Sequence, residues 1–115
     1  MSVVQRPARP IIAIADGDLL TAQTTNTNGV WAPLERVAPW SLTVRGVIGT
    51  ATVTIYVSNQ MVRPSDSDNN QAVLQTFNSL GTAGSNFAFR WIKAAVSGAG
   101  GGTSVTVDVM AGQGD

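Results

Sequence analysis

The sequence has no cysteine and no histidine. Without cysteine there is no disulfide, no thiol nucleophile and no thiolate metal site. Without histidine the commonest general base and the commonest metal ligand are missing. Charge is scarce too: charged residues make up 12% of 115, and seven basic residues balance seven acidic ones. That share is about half the usual one. A chain of zero formal net charge has no long-range pull on nucleic acid or an anionic membrane, and neither is expected as a partner. Low charge also favours association, so an assembled state is expected. No apolar run approaches the ~20 residues of a membrane helix. The start, MSVVQRPARP, lacks the apolar core of a signal peptide. The expectation is a soluble or particle-bound protein made in the cytoplasm.

Chemistry-bearing residues are few. The only glutamate is Glu35, and the aspartates fall at turns or the terminus except Asp108. Nothing selects a carboxylate pair for acid–base work. Asp66, Asp68 and Asn70 begin with calcium-loop spacing, but Gln71 stands where the turn glycine belongs and Phe77 where the bidentate glutamate belongs. A solvated loop is the expected role. Ser97 to Gly102 is glycine-rich but lacks the lysine of a phosphate loop, so it reads as a hairpin tip. No enzyme, cofactor or metal is expected.

What is present is strand periodicity. Val53, Ile55 and Val57 alternate with Thr52, Thr54 and Tyr56; Val105, Val107 and Val109 alternate with Ser104, Thr106 and Asp108. Period-two alternation of β-branched residues predicts half-buried strands. In Trp40–Ile48, Leu42, Val44 and Ile48 are expected inward, Thr43 and Arg45 outward, with Gly46 marking a bulge. Phe87–Val96 is apolar on both faces. Phe87, Phe89 and Trp91 are expected between the sheets, with Ala88, Ile92 and Ala94 against another chain or a covering loop. Arg90 and Lys93 lie on opposite faces by parity, and either is a candidate partner for Asp108.

Shorter strands are expected at Ile11–Ala15, closed by the turn Asp16-Gly17-Asp18, and at Leu19–Thr25. Asn28-Gly29 is a hairpin dipeptide. Trp31, Leu34 and Trp40 read as core anchors, with Pro33 at an edge. Gln71–Leu80 fits a helical stripe or a strand, and the strand is favoured; Gly81–Asn86 reads as a loop. Turn signals every 8–12 residues or so predict an all-β antiparallel β-sandwich. A jelly roll is the leading architecture and an immunoglobulin-like sandwich the second. Residues 1–10, with Pro7 and Pro10, read as an extended N-terminal arm or a frayed terminus, and 11–115 as one domain. Arg6 and Arg9 on the arm, with Met61, Val62 and Arg63 in the polar 59–70 connection, are the expected partner contacts. Trp31, Trp40, Trp91 and Tyr56 are the alternative, a sugar-stacking platform.

The pattern ATVTIYVSNQ, a polar loop, then FAFRWIKAAVSGAGGGTSVTVDVM resembles small β-sandwich virion proteins of tailed bacteriophages. It rests on Phe89, Arg90, Trp91, Ile92, Lys93, Ala94, Val96 and Gly98, before a Gly/Ser/Thr turn and a Thr/Val last strand. Phe89 adjoins the arginine directly, and Ser104 departs from strict Thr/Val alternation. In size, low charge and arm the chain is most similar to capsid decoration (cement) proteins. That resemblance implies a structural role on the capsid surface, with the major capsid protein and the chain itself, as dimer or trimer, for partners. Tail and baseplate sandwiches share the pattern, which leaves open a module that binds a carbohydrate or receptor.

Overall fold

A computed structural model describes residues 18–34, 40–85 and 87–111. The strand expected at Ile11–Ala15, the 1–10 arm and Glu35 lie outside them. Among the described residues eight strands form, all pairing antiparallel: β1 Asp18–Gln23, β2 Ala32–Pro33, β3 Trp40–Val47, β4 Thr52–Ser58, β5 Ala72–Phe77, β6 Gly81–Ser85, β7 Trp91–Ser97 and β8 Ser104–Ala111. Sheet I runs β1-β8-β3-β6 and sheet II β2-β7-β4-β5. The protein is an all-β antiparallel sandwich. The pairing is nested: β4 with β5, β3 with β6, β2 with β7, β1 with β8. Among the described residues no helix is long and apolar enough to cross a membrane.

The core lies between the sheets. Val53, Ile55 and Val57 of β4 face Leu42 and Val44 of β3 and Val105, Val107 and Val109 of β8, all buried. Each fully buried side chain of this kind stabilises the fold by about 1.5–3 kcal/mol. Pro33 sits on the edge strand β2, where its missing N–H breaks no ladder. Of the two readings of 71–80 the strand forms, as β5.

Several expectations are overturned. The apolar run Phe87–Val96 becomes a strand only from Trp91, and its faces are reversed. Ile92, Ala94 and Val96 point into the core, while Phe87 is exposed and Phe89 and Trp91 are half-buried. Parity explains this. Lys93 shares a face with Trp91, and turning that face inward would bury an ammonium among valines. Gly81–Ser85 is a strand rather than a loop, because β3 supplies its ladder from Trp40↔Ser85 to Val44↔Gly81. Gly46 marks no bulge. Its register with β8 is unbroken, and its φ of 105° carries the backbone past the Ser104 carbonyl. Register shifts fall elsewhere: in β1 against β8, and at Leu74, an extra residue of β5 opposite Ile55 and Tyr56.

Two glycine signals also lead elsewhere. Asn28-Gly29 closes no hairpin. The chain passes there from β1 in sheet I toward β2 in sheet II, bridging Thr27 to Val96. Gly29 has a φ of 77°, and a Cβ there would fall 2.0 Å from the Ala94 carbonyl oxygen, so the position requires glycine. The Gly98–Gly102 connection is likewise a crossing between sheets, from β7 to β8. It is held by Thr50, which donates to the Gly98 carbonyl, and by Ala99 N–H, which donates to Asn26.

Candidate functional site

β3 begins, and β6 and β8 end, at one end of sheet I; β7 begins and β4 ends at one end of sheet II; and the Trp40 indole N–H, which donates to the Phe87 carbonyl just before β7, puts these two ends together. The four most exposed large apolar side chains collect there. Met61 is 82% exposed, Val62 78% and Phe87 74%; Met110, opposite Ser41 on the outer face of sheet I, is 64% exposed. Isolated exposed apolar residues are ordinary, whereas several toward one end of a small protein make that end a candidate contact region, with Met61 and Val62 on the sheet II side and Met110 on the sheet I side.

Met61 and Val62 stand on the β4–β5 connection, which is braced against the outer face of sheet II. Its centre is Lys93, on β7 and wholly buried. The Lys93 ammonium donates to the Asp66 carbonyl at 2.7 Å, the Asn69 side-chain oxygen at 2.7 Å and, more weakly, the Asp68 carbonyl at 3.4 Å. It lies 5.1 Å from the centre of the Trp31 ring and 5.0 Å from that of Tyr56, and the two rings meet edge-on. Three acceptors satisfy its three donors, and the ring faces add an attraction of about 0.5–2 kcal/mol each. Burial pushes the ammonium below its ordinary 10.5, against the pull of the Asp66 and Asp68 charges.

Trp31 completes the brace. Its backbone N–H donates to the Asp66 carboxylate and its indole N–H to the Ser65 carbonyl. Arg63 donates to the Trp31 carbonyl and, at 2.7 Å, to Asp66. The start of the connection is held from the other side. Trp91 donates its indole N–H to Gln60, and Arg90 N–H donates to Ser58 and Asn59. Met61 and Val62 therefore project from a segment fixed on both flanks, which lowers the ordering cost of binding.

Of the expected contact residues, Met61 and Val62 are free for a partner, and Arg63, though partly exposed, is engaged with Trp31 and Asp66. Arg6 and Arg9 lie outside the described residues. Of the four aromatics of the alternative platform, Trp31 and Trp40 are buried, the Tyr56 ring lies against the Lys93 ammonium, and Trp91 is half-buried. Phe87, expected between the sheets, is exposed instead, and Met110 carried no expectation. An aromatic in an apolar run and a methionine after an alternating strand give no sign of exposure.

Asp66 and Asp68 serve the brace. Among the described residues no group of three acidic side chains is placed to hold a metal. Asp68 accepts from Asn70 N–H and from Gln71, which hold its carboxyl below the ordinary 3.8. As pH falls the unfolded chain takes up this proton first, so the stability linked to Asp68 is complete above 3.8 and is lost as pH drops through the lower folded value. The protection of the 65–71 amides, taken relative to their intrinsic exchange rates, should therefore be lower below pH 3.8 than at pH 6, and should fall more than that of the β4 amides; an equal fall in both segments would remove Asp68 as the cause. Asp108 pairs with Arg45, not with Arg90 or Lys93. Arg45 holds its carboxyl low, while the hydrogen bond with Asp108 pushes that of Asp18 up.

No protein-family model, curated protein or solved structure matches this chain.

Proposed function

We propose that this protein is a structural component of a phage virion, a jelly-roll sandwich that binds the capsid exterior and stabilises junctions between major capsid subunits. The observation that carries the reading is the collection of Met61, Val62, Phe87 and Met110 at one end of the sandwich, with Met61 and Val62 on a braced loop. A rigid loop with apolar tips suits a fixed, repeated surface, where binding at one subunit raises the local concentration for the next. The nested strand order supports the jelly-roll assignment. On this reading the 1–10 segment, with Arg6 and Arg9, which lies outside the described residues, would serve as an arm to a neighbouring subunit.

The test is co-sedimentation of the purified chain with particles built from the major capsid protein. Wild type should bind in stoichiometric amount. The double variant Met61→Asp, Val62→Asp should bind about tenfold more weakly, the effect of losing a contact worth about 1.4 kcal/mol. Its melting temperature should be unchanged, since both side chains already face water. Undiminished binding by the double variant removes this end as the docking face, and no binding by wild type removes the capsid as the partner.

A further inference from the structure

The two sides of the sandwich are finished differently. On one side lie β1 and β2. The pairing of β1 with β8 shifts register twice, and β1 carries Ala22 at a φ of 46° and begins with Asp18. β2 is two residues long and ends in Pro33. Irregular register, charge, shortness and proline are features that stop an edge strand from pairing with another chain.

On the other side lie β5 and β6, the last strands of their sheets among the described residues. Between Asp68 and Arg90 there is neither a charged residue nor a proline. β6 keeps an unbroken register with β3, and its side chains are no larger than threonine. The seam between the sheets is also open here. Ala72 and Gln75 stand opposite Val57 and Ile55, which are buried, yet both are exposed.

We propose that β6 pairs with β6 of a second copy of this chain, antiparallel about a two-fold axis at Ala83, so that the two copies of sheet I become one continuous sheet. The occupant follows from the charge pattern. In a two-fold contact a surface patch meets itself, so a charge on it faces its like. A strip with no charge is compatible with itself and offers nothing to an acidic or basic partner. β6 is the pairing strand because β5 is bent by its extra residue at Leu74. In such a pair the two β5 strands also come together, which covers Ala72 and Gln75. The inference rests on the proposed structural role only in expecting an assembled molecule. Its test needs no capsid, so the two can fail separately.

Sedimentation equilibrium of the whole chain should show a concentration-dependent dimer of twice the 11.9 kDa chain mass. Thr82 is exposed on the outer face of β6, opposite Thr43. Thr82→Lys places two ammonium groups across the axis and should raise the dimer dissociation constant at least about tenfold. Thr21→Lys, on the opposite edge, should leave it unchanged. A monomer or a trimer at every concentration, or a Thr82→Lys chain that dimerises like wild type, overturns the proposal. Hydrogen exchange of wild type gives a reading that no variant's folding can confuse. The 81–85 amides should become more protected as concentration rises, and protection independent of concentration overturns it.

Discussion

Lys93→Ala should destabilise the fold by about 3–4 kcal/mol, and its melting temperature should fall by about 10–15 °C. The loss has two sources. Removing Cγ, Cδ and Cε takes away three buried methylenes, at about 0.8 kcal/mol each. The Asp66 and Asp68 carbonyls and the Asn69 amide also lose their common donor. An acceptor left buried without a partner costs about 1–3 kcal/mol, but this loop is at the surface and can open to water, so only part of that penalty is felt. The Trp31 indole then loses the cation against its face and its one acceptor, the Ser65 carbonyl, on a loosened loop. Lys93→Met keeps most of the stem volume and should cost about 1–2 kcal/mol, because it also relieves the expense of keeping a charge out of water. Urea unfolding of the three proteins, with limited proteolysis at 59–70, checks the order wild type, methionine, alanine. An alanine variant within about 1 kcal/mol of wild type would show that the brace contributes nothing, since a surface substitution costs no more than that.

The strands that alternate cleanly were legible: β4 and β8 each put three β-branched residues inward and polar ones outward, and the structure keeps both faces as read. The reversal of β7 shows the limit of that method. Phe87, Phe89 and Trp91 outweigh Ile92, Ala94 and Val96 in apolar area, so area alone turns the aromatic face inward. One charged residue decides otherwise. Lys93 needs acceptors, which lie in a loop about 25 residues earlier in sequence on the outer face. No local pattern links Lys93 to Asp66. The only sign was a lysine inside an apolar strand together with a polar loop rich in spare oxygens. β6 was illegible for another reason: apart from Thr82, its residues Gly81, Ala83, Gly84 and Ser85 have little strand preference of their own, and β3 imposes the pairing. The site followed the same division. Met61 and Val62 stood out as apolar residues in a polar loop, whereas the brace that fixes them is wholly tertiary.

Glycine was read in the sequence as a turn signal, and its positions differ sharply in what they require. Gly46→Ala should cost about 3 kcal/mol or more, by combining two penalties. The φ of 105° is unfavourable for any residue with a side chain, at about 1–3 kcal/mol. The new Cβ would also lie 2.2 Å from the Ser104 carbonyl oxygen. That oxygen belongs to the backbone of β8, which β1 and β3 hold on either side, so relief means shifting the strand rather than rotating a side chain. Overpacking of this kind typically costs about 1–3 kcal/mol. Gly101→Ala is the contrast. Nothing lies within 4 Å of its would-be Cβ and its φ is not positive. Alanine there restricts the unfolded chain and should be neutral or stabilising by up to about 1 kcal/mol. Thermal unfolding of both variants separates a glycine demanded by β3–β8 contact from one that only lines a crossing. A Gly46→Ala protein as stable as wild type would mean that β8 can move away from β3 at Ser104, and would loosen the register on which sheet I, from β1 to β6, is built.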